Sequence, residues 1–184
     1  AATKLFNTVL GTLGAAVVLL TGVLYYYAAE ITAFQFPGFD EQTSAMTVML
    51  TRMVLPAQIF FITGGILQAV LLANRHFKAA ALAPLVYNIC IIAGGFLLAP
   101  IMGIRGFAVG TIAGAILGPF LLPLIQSRRL IKIAPRAMPM DKGFLVYLVL
   151  ALPLMFGQTL LTLDEWYGRW FGATLGTGAV AHLG

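Results

Sequence analysis

Residues 106–126 read GFAVGTIAGAILGPFLLPLIQ, an apolar run without a charged side chain. About 20 consecutive apolar residues let an α-helix cross the hydrocarbon core of a bilayer. Glycines stand at every fourth position of this run, so they share one helix face and let a neighbouring helix approach closely. They are Gly106, Gly110, Gly114 and Gly118. The run predicts a tightly packed transmembrane helix, whose glycine face serves either static packing or sliding between two conformations.

The rest of the chain repeats this apolar pattern. Of its 184 residues, 60% are hydrophobic and 9% are charged, whereas a soluble domain carries about 25% charged residues. Residues 107–126 and four more segments have the length of membrane-spanning helices: 5–28, 45–73, 79–99 and 144–163. The predicted fold class is all-α, a polytopic transmembrane helix bundle of about five helices. The chain starts without methionine, so we expect it to be part of a longer protein.

The basic residues are concentrated in alternate connections between these helices. Eight of the eleven lie on one predicted side: Lys4, Arg75, Lys78, Arg128, Arg129, Lys132, Arg136 and Lys142. The other side receives five of the six acidic residues. Cytoplasmic loops carry the excess of lysine and arginine. The pattern predicts that the N-terminal flank and the 127–143 loop are cytoplasmic, and it accounts for the net charge of +5 without a nucleic-acid partner.

The 127–143 loop mixes basic with apolar side chains. The residues concerned are Arg128, Arg129, Leu130, Ile131, Lys132, Ile133 and Arg136. Such a composition is typical of an interfacial helix that lies on anionic lipid headgroups. The same charges also serve to orient the chain in the membrane, and the sequence does not separate these two interpretations.

A few polar side chains fall within the predicted spans, where charge is costly. Arg52, four residues before Pro56, either binds an anionic substrate group such as a phosphate or snorkels to the interface. Asn88 either makes a hydrogen bond to a neighbouring helix or contacts the substrate. Asp164 and Arg169 stand near the end of the fifth segment. Either they form an ion pair within one helix, or Asp164 binds a cation or a proton.

Prolines recur inside the predicted helices. They are Pro56, Pro84, Pro119, Pro123 and Pro153. Each removes a backbone hydrogen bond and predicts a kink. Kinked helices occur in transporters, where the released carbonyl groups line a cavity, and also in rigid bundles.

No pattern in the chain points to catalysis. There is no Gly-rich phosphate loop and no HExxH, CxxC or G-x-S-x-G motif. Cys90 is the single cysteine, and His76 and His182 have no companions at metal-ligand spacing. We therefore predict no enzymatic activity, no metal and no cofactor.

A longer series of residues resembles a known family. It consists of TRMVLPAQIFF at 51–61, GGILQAVL at 64–71, ANRHF at 73–77 and ALAPLVYN at 81–88. The series resembles the MurJ/MviN family of lipid II flippases, in the multidrug/oligosaccharidyl-lipid/polysaccharide exporter superfamily. Leu152-Pro153, Leu163-Asp164 and GTGAV at 176–180 are similar to the family's seventh helix and the turn after it.

The resemblance implies a slice of a fourteen-helix flippase fold, from its third to its seventh helix. Residues 1–126 would form four helices of the N-terminal lobe, 127–143 a cytoplasmic inter-lobe loop, and 144–184 the first helix of the C-terminal lobe. The implied function is transport of lipid II, an undecaprenyl-pyrophosphate-linked peptidoglycan precursor, across the bacterial inner membrane by alternating access. The implied partners are this glycolipid, membrane lipids and the remaining helices of the parent chain.

The sequence departs from the family pattern in two respects. Glu165 stands where the family often has a base, and Arg169 is displaced. The family's first two helices, which carry much of its cationic substrate-binding set, lie outside this sequence, so Arg52 is the best local candidate. Two alternatives remain: another polysaccharide-lipid flippase or drug/cation antiporter of the superfamily, and a non-transporting membrane scaffold.

Overall fold

The computed structural model describes the backbone of residues 2–174 and all side chains in that range other than those at 161, 164–166 and 168–174. Every regular element in this range is helical, which confirms the all-α class. The helices are α1 (Ala2–Tyr26), α2 (Ala28–Gln35), α3 (Glu41–Val54), α4 (Ala57–Ala73), α5 (Lys78–Met102), α6 (Arg105–Ala115), a π-helical segment (Ile116–Leu121), α7 (Leu122–Ser127) and α8 (Lys142–Thr174).

Five helical stretches are long and apolar enough to cross a membrane, which confirms the predicted number. They are Ala2–Tyr26, Glu41–Ala73, Lys78–Met102, Arg105–Ser127 and Lys142–Leu160. The second stretch contains α3 and α4, and the fourth contains α6, the π-helical segment and α7.

Both composite spans are interrupted at proline. Leu55 and Pro56 separate α3 from α4, because proline has no amide hydrogen and its ring displaces the preceding turn. Pro119 lies in the π-helical segment, and its carbonyl group packs against Gly64 of α4 so closely that no Cβ would fit there. The other predicted helix prolines lie within or at the start of helices α5, α7 and α8: Pro84, Pro123 and Pro153. Helix α5 also contains Pro100.

The connection between the first two predicted spans, 5–28 and 45–73, contains helical structure that the apolar pattern does not predict. Its first part belongs to α2, a short helix with Ala28 and Thr32 buried. The following helix, α3, is capped by Asp40, whose carboxylate accepts hydrogen bonds from the amides of Gln42 (3.1 Å) and Thr43 (3.2 Å). The hydrogen bond from the Thr43 hydroxyl is the main cause that holds the pKa of Asp40 below its ordinary value.

The α5–α6 pair packs backbone against backbone. A Cβ built on Gly110 would lie 2.6 Å from the carbonyl oxygen of Cys90, and one on Gly106 would lie 2.7 Å from the amide nitrogen of Ala99. On the opposing helix, a Cβ at Gly94 would lie 2.6 Å from the Cα of Gly110. Side-chain atoms do not approach a backbone this closely, so these positions require glycine.

The same face continues through the last two glycines of the series. A Cβ on Gly114 would lie 2.8 Å from the carbonyl oxygen of Tyr87, and one on Gly118 would lie 2.5 Å from that of Ala83. All four glycines therefore lie directly against the backbone of α5. Sliding along this face remains a prediction.

The segment that joins the fourth and fifth spans is extended. The interpretation of the 127–143 loop as an interfacial helix is therefore wrong. We call residues 128–141 the connecting segment. Within it, residues 132–138 have no helical hydrogen bonds and run along the first half of α1. Two physical reasons are evident. Pro135 has no amide hydrogen to donate, and Asn7 of α1 bonds the backbone on both sides of it, at Ala134 and at Arg136.

The fifth span is the least buried of the five spans in the described chain. Only 6% of its most apolar window is buried, against 39% for the fourth span. Phe144 is buried at the start of α8, and α1 is the helix that α8 mainly contacts. Beyond that point, apolar side chains such as Val149, Leu154 and Phe156 are exposed.

Candidate functional site

Polar groups converge at the end of the bundle where α1 begins. Asn7 is 9% exposed, and its Nδ2 donates a hydrogen bond to the carbonyl oxygen of Lys132 at 3.0 Å. Its Oδ1 accepts from the amide of Ala134 at 2.9 Å, and its own carbonyl oxygen accepts from the amide of Arg136 at 3.0 Å. Asn7 thus pairs with the connecting segment much as a neighbouring strand would.

The next turn of α1 brings the segment still closer. Gly11 lies four residues after Asn7 on the same helix face, and a Cβ there would collide with the backbone of Arg136. Thr12 follows, and its hydroxyl oxygen accepts a hydrogen bond from the amide of Met138 at 3.0 Å. Glycine at this position therefore lets the segment lie directly on the helix.

An ion pair fastens the end of the segment to the start of α1. The Nζ of Lys4 lies 2.8 Å from Oδ2 of Asp141, and the two side chains are 70% and 17% exposed. The hydrogen bond from Lys4 is the largest cause that lowers the pKa of Asp141, against a smaller opposing effect of burial. The contact places the N-terminal flank and the 127–143 loop at the same end of the bundle, as predicted.

Two cavities border the connecting segment. The basic cleft, about 240 Å³ in volume, is lined by Thr3, Lys4, Asn7, Lys132, Ala134 and Arg136. The apolar cavity, about 680 Å³, lies between the segment and helices α1, α4 and α7. Lys132 lines both cavities, and Arg128 is the other charged residue of the apolar one.

Arg52 lies near the opposite end of α1. It is half-buried on α3, and its Nε donates to the carbonyl oxygen of Tyr25 at 3.2 Å. Its guanidinium carbon lies 5.6 Å from the centre of the Tyr25 ring. Both contacts are favourable, because carbonyl groups at a helix C-terminus and the face of an aromatic ring attract cations. A cavity of about 370 Å³ opens beside it, and a substrate contact stays a prediction.

The other predicted polar residues do not gather around Arg52. Asn88 is exposed on α5 and makes no hydrogen bond with the residues that the structure describes, so the expected bond between helices is absent. The reason is that α5 turns Gly94 and its neighbours toward α6, and Asn88 lies off that face. Asp164 and Arg169 belong to α8, but their side chains lie outside the described residues.

Sequence reasoning missed the residues that hold the connecting segment. Asn7 and Gly11 lie in an apolar helix, and their spacing of four residues puts both on one face. This spacing is the only local signal. Their partners stand 125 or more residues away in the chain, so no short motif contains both sides of the contact.

The comparison with known families agrees with this architecture. The model of the family described as lipid II flippase MurJ matches residues 1–184. No curated protein and no solved structure was found to match the chain. Since the matched region is the whole sequence, the chain belongs to the lipid II flippase MurJ family.

Proposed function

We propose that the protein moves lipid II, the undecaprenyl-pyrophosphate-linked peptidoglycan precursor, across the bacterial cytoplasmic membrane. The observation that carries this proposal is the match to the flippase family along the whole chain. The five apolar spans supply the membrane setting. Such transport makes and breaks no covalent bond, and we propose no enzymatic activity for this chain.

In the orientation we propose, the start of α1 and the connecting segment face the cytoplasm. The Lys4–Asp141 ion pair supports a common side for these two parts. Their basic residues favour the cytoplasmic side by the positive-inside rule. On that side the segment meets the anionic headgroups of the inner leaflet, which attract lysine and arginine.

We propose that transport proceeds by alternating access between two lobes. Residues 1–126 would belong to the first lobe, 127–143 would join the lobes, and 144–184 would open the second. The contrast in packing supports this division. The fourth span is closely packed against its neighbours, whereas α8 buries little of its apolar surface against the first four spans.

Arg52 is the leading candidate for contact with the substrate pyrophosphate, and Asn88, Asp164 and Arg169 are separate, weaker candidates. Its Nε is occupied by Tyr25, but its terminal nitrogens donate no hydrogen bond within the described chain and lie beside a cavity. A planar guanidinium with free donors binds phosphate oxygens in a bidentate manner. This chemistry supports the assignment.

A complementation experiment tests both the lipid II assignment and the role of Arg52. Cells depleted of their own lipid II flippase would receive the full-length parent gene, its Arg52→Ala variant, or its Arg105→Ala variant. Arg105 is an exposed base at the start of α6 and serves as the matched control. We expect rescue by the parent and by Arg105→Ala, and loss of rescue by Arg52→Ala at equal protein level in the membrane.

The two failures are distinguishable. If the parent does not rescue growth, the lipid II assignment is wrong. If the parent and Arg52→Ala rescue equally, the assignment stands and Arg52 acts only as the anchor of α3 on Tyr25.

A further inference from the structure

The connecting segment sorts its side chains between two cavities of different chemistry. Because it is extended, successive side chains point to opposite sides. Ile131, Ile133 and Pro135 line the apolar cavity, whereas Ala134 and Arg136 line the basic cleft. The orientation of a chain in the membrane depends on how many basic residues lie on each side. It does not require apolar and basic side chains to point in opposite directions. The alternation gives the segment one apolar and one cationic face.

The basic cleft holds positive charge without matching negative charge. Lys4, Lys132 and Arg136 line it. Within the described chain only Lys4 has an acidic partner, Asp141. Because an ammonium group carries three donors, Lys4 can bind a second anionic group as well. The side chains of the other two bases donate no hydrogen bond to described residues. A phosphate group suits such a cleft, because charge-assisted hydrogen bonds to lysine and arginine are strong.

The apolar cavity adjoins this cleft. Leu10 and Leu67 line it and are buried, and Phe120 and Leu124 complete its helical wall. Its volume of about 680 Å³ is within the range of roughly 300–1,000 Å³ found for pockets that enclose small ligands. Leu10 stands one helical turn from Asn7 of the cleft, and Lys132 belongs to both cavities.

We propose that the apolar cavity and the basic cleft together bind one anionic phospholipid. The phosphate lies in the basic cleft and an acyl chain lies in the apolar cavity, with Lys132 at the junction of headgroup and chain. The lipid is a resident glycerophospholipid with a negatively charged headgroup, such as phosphatidylglycerol, and it is distinct from the transported cargo. Bound there, it holds the connecting segment against α1 at the border between the lobes.

A fluorescence experiment on the full-length protein tests this site. Phe120→Trp places a reporter in the apolar cavity while keeping an aromatic ring against Phe60, whose centre lies 5.4 Å away. The variant is reconstituted in phosphatidylcholine vesicles that contain increasing fractions of phosphatidylglycerol with brominated acyl chains, which quench tryptophan. The unsubstituted protein gives the background from its other tryptophans, and brominated phosphatidylcholine gives the comparison without net charge.

We expect half-maximal quenching at a phosphatidylglycerol fraction at least about fivefold lower than for phosphatidylcholine, since each base near an anionic headgroup contributes roughly that factor. Lys132→Gln and Arg136→Gln should each raise the required fraction about fivefold. Arg129→Gln is the matched control, because Arg129 is in the same segment and lines neither cavity. It should leave the quenching curve unchanged.

Three results would overturn the proposal. One is equal quenching by the two brominated lipids. Another is an equal effect of Arg129→Gln and Lys132→Gln, which would show unspecific attraction to the membrane surface. The third is reversal of the quenching by undecaprenyl pyrophosphate at equal mole fraction, which would make the cleft part of the cargo path. None of these results depends on whether the parent gene rescues flippase-depleted cells.

Discussion

Two contacts in this molecule bring a helix backbone against another stretch of backbone, and they do so by opposite means. Between α5 and α6, glycines such as Gly94 and Gly110 remove the side chains, and the helices touch along several turns. Between α1 and the connecting segment, hydrogen bonds from Asn7 and the Lys4–Asp141 ion pair hold the two parts together.

The difference separates a permanent contact from a reversible one. In lipid there is little hydrophobic force between helices, so close van der Waals packing stabilises the α5–α6 pair, and nothing from the solvent replaces it. At the membrane surface, water replaces a broken hydrogen bond at little net cost. We therefore expect the α1 contact to open more readily than the α5–α6 contact.

The largest expected effect comes from filling the permanent contact. Gly110→Val would place a Cβ 2.6 Å from the Cys90 carbonyl oxygen and force α5 and α6 apart. We expect a loss of about 3 kcal/mol, at the upper end of the usual cost of overpacking, measured by thermal unfolding in detergent. Gly65→Val is the control, because a Cβ at Gly65 would meet no atom of another helix within 4 Å. Equal stability of the two variants would show that the α5–α6 face tolerates side chains.

A smaller effect is expected from breaking the reversible contact. Asn7→Ala removes the partners of the Ala134 amide and the Lys132 carbonyl group. We expect a cost of about 1–2 kcal/mol and faster hydrogen exchange of the Ala134 amide, with the α5–α6 amides unchanged. Asn88→Ala, which removes an exposed amide without a bond in the described chain, should change neither quantity. Unchanged exchange at Ala134 would show that other contacts hold the segment.

The smallest effect concerns pH. The pKa of Asp141 is lowered in the folded protein, so its contribution to stability is present above the ordinary value of 3.8 and is lost as the pH falls through the lowered value. At neutral pH the ion pair is therefore intact. Asp141→Asn should reduce the acid-induced rise in exchange of the Gly143 amide, which bonds the Asp141 carboxylate. Asp40→Asn, which removes the carboxylate at the start of α3, should not.

The permanent contact could be predicted from the sequence, and the reversible one could not. A spacing of four residues repeated from Gly106 to Gly118 is a local pattern, and helix geometry converts it directly into one packed face. The five spans follow from length and hydropathy in the same way. Loop charges also predicted correctly that Lys4 and the 127–143 loop share one side.

An interfacial helix was one of two interpretations of the connecting segment, because its bases and apolar residues interleave over a few positions, where helical and extended periods are hard to tell apart. What decides its conformation is Asn7, more than a hundred residues earlier in the chain. Helix α2 was missed for a different reason. Its eight residues, Ala28–Gln35, are mainly exposed, so no apolar periodicity marks them.

The π-helical segment at Ile116–Leu121 sets the rotational phase of everything that follows it. A π-helical turn takes up about one residue more than an α-helical turn, so winding the same residues as a regular α-helix would rotate α7 by about 100°. Leu124 would then leave the apolar cavity, and Ser127 would lose its buried position. The chain would enter the connecting segment on another face of the bundle, out of reach of Asn7. The extra residue held in the π-helical turn thus places the start of the connecting segment beside α1.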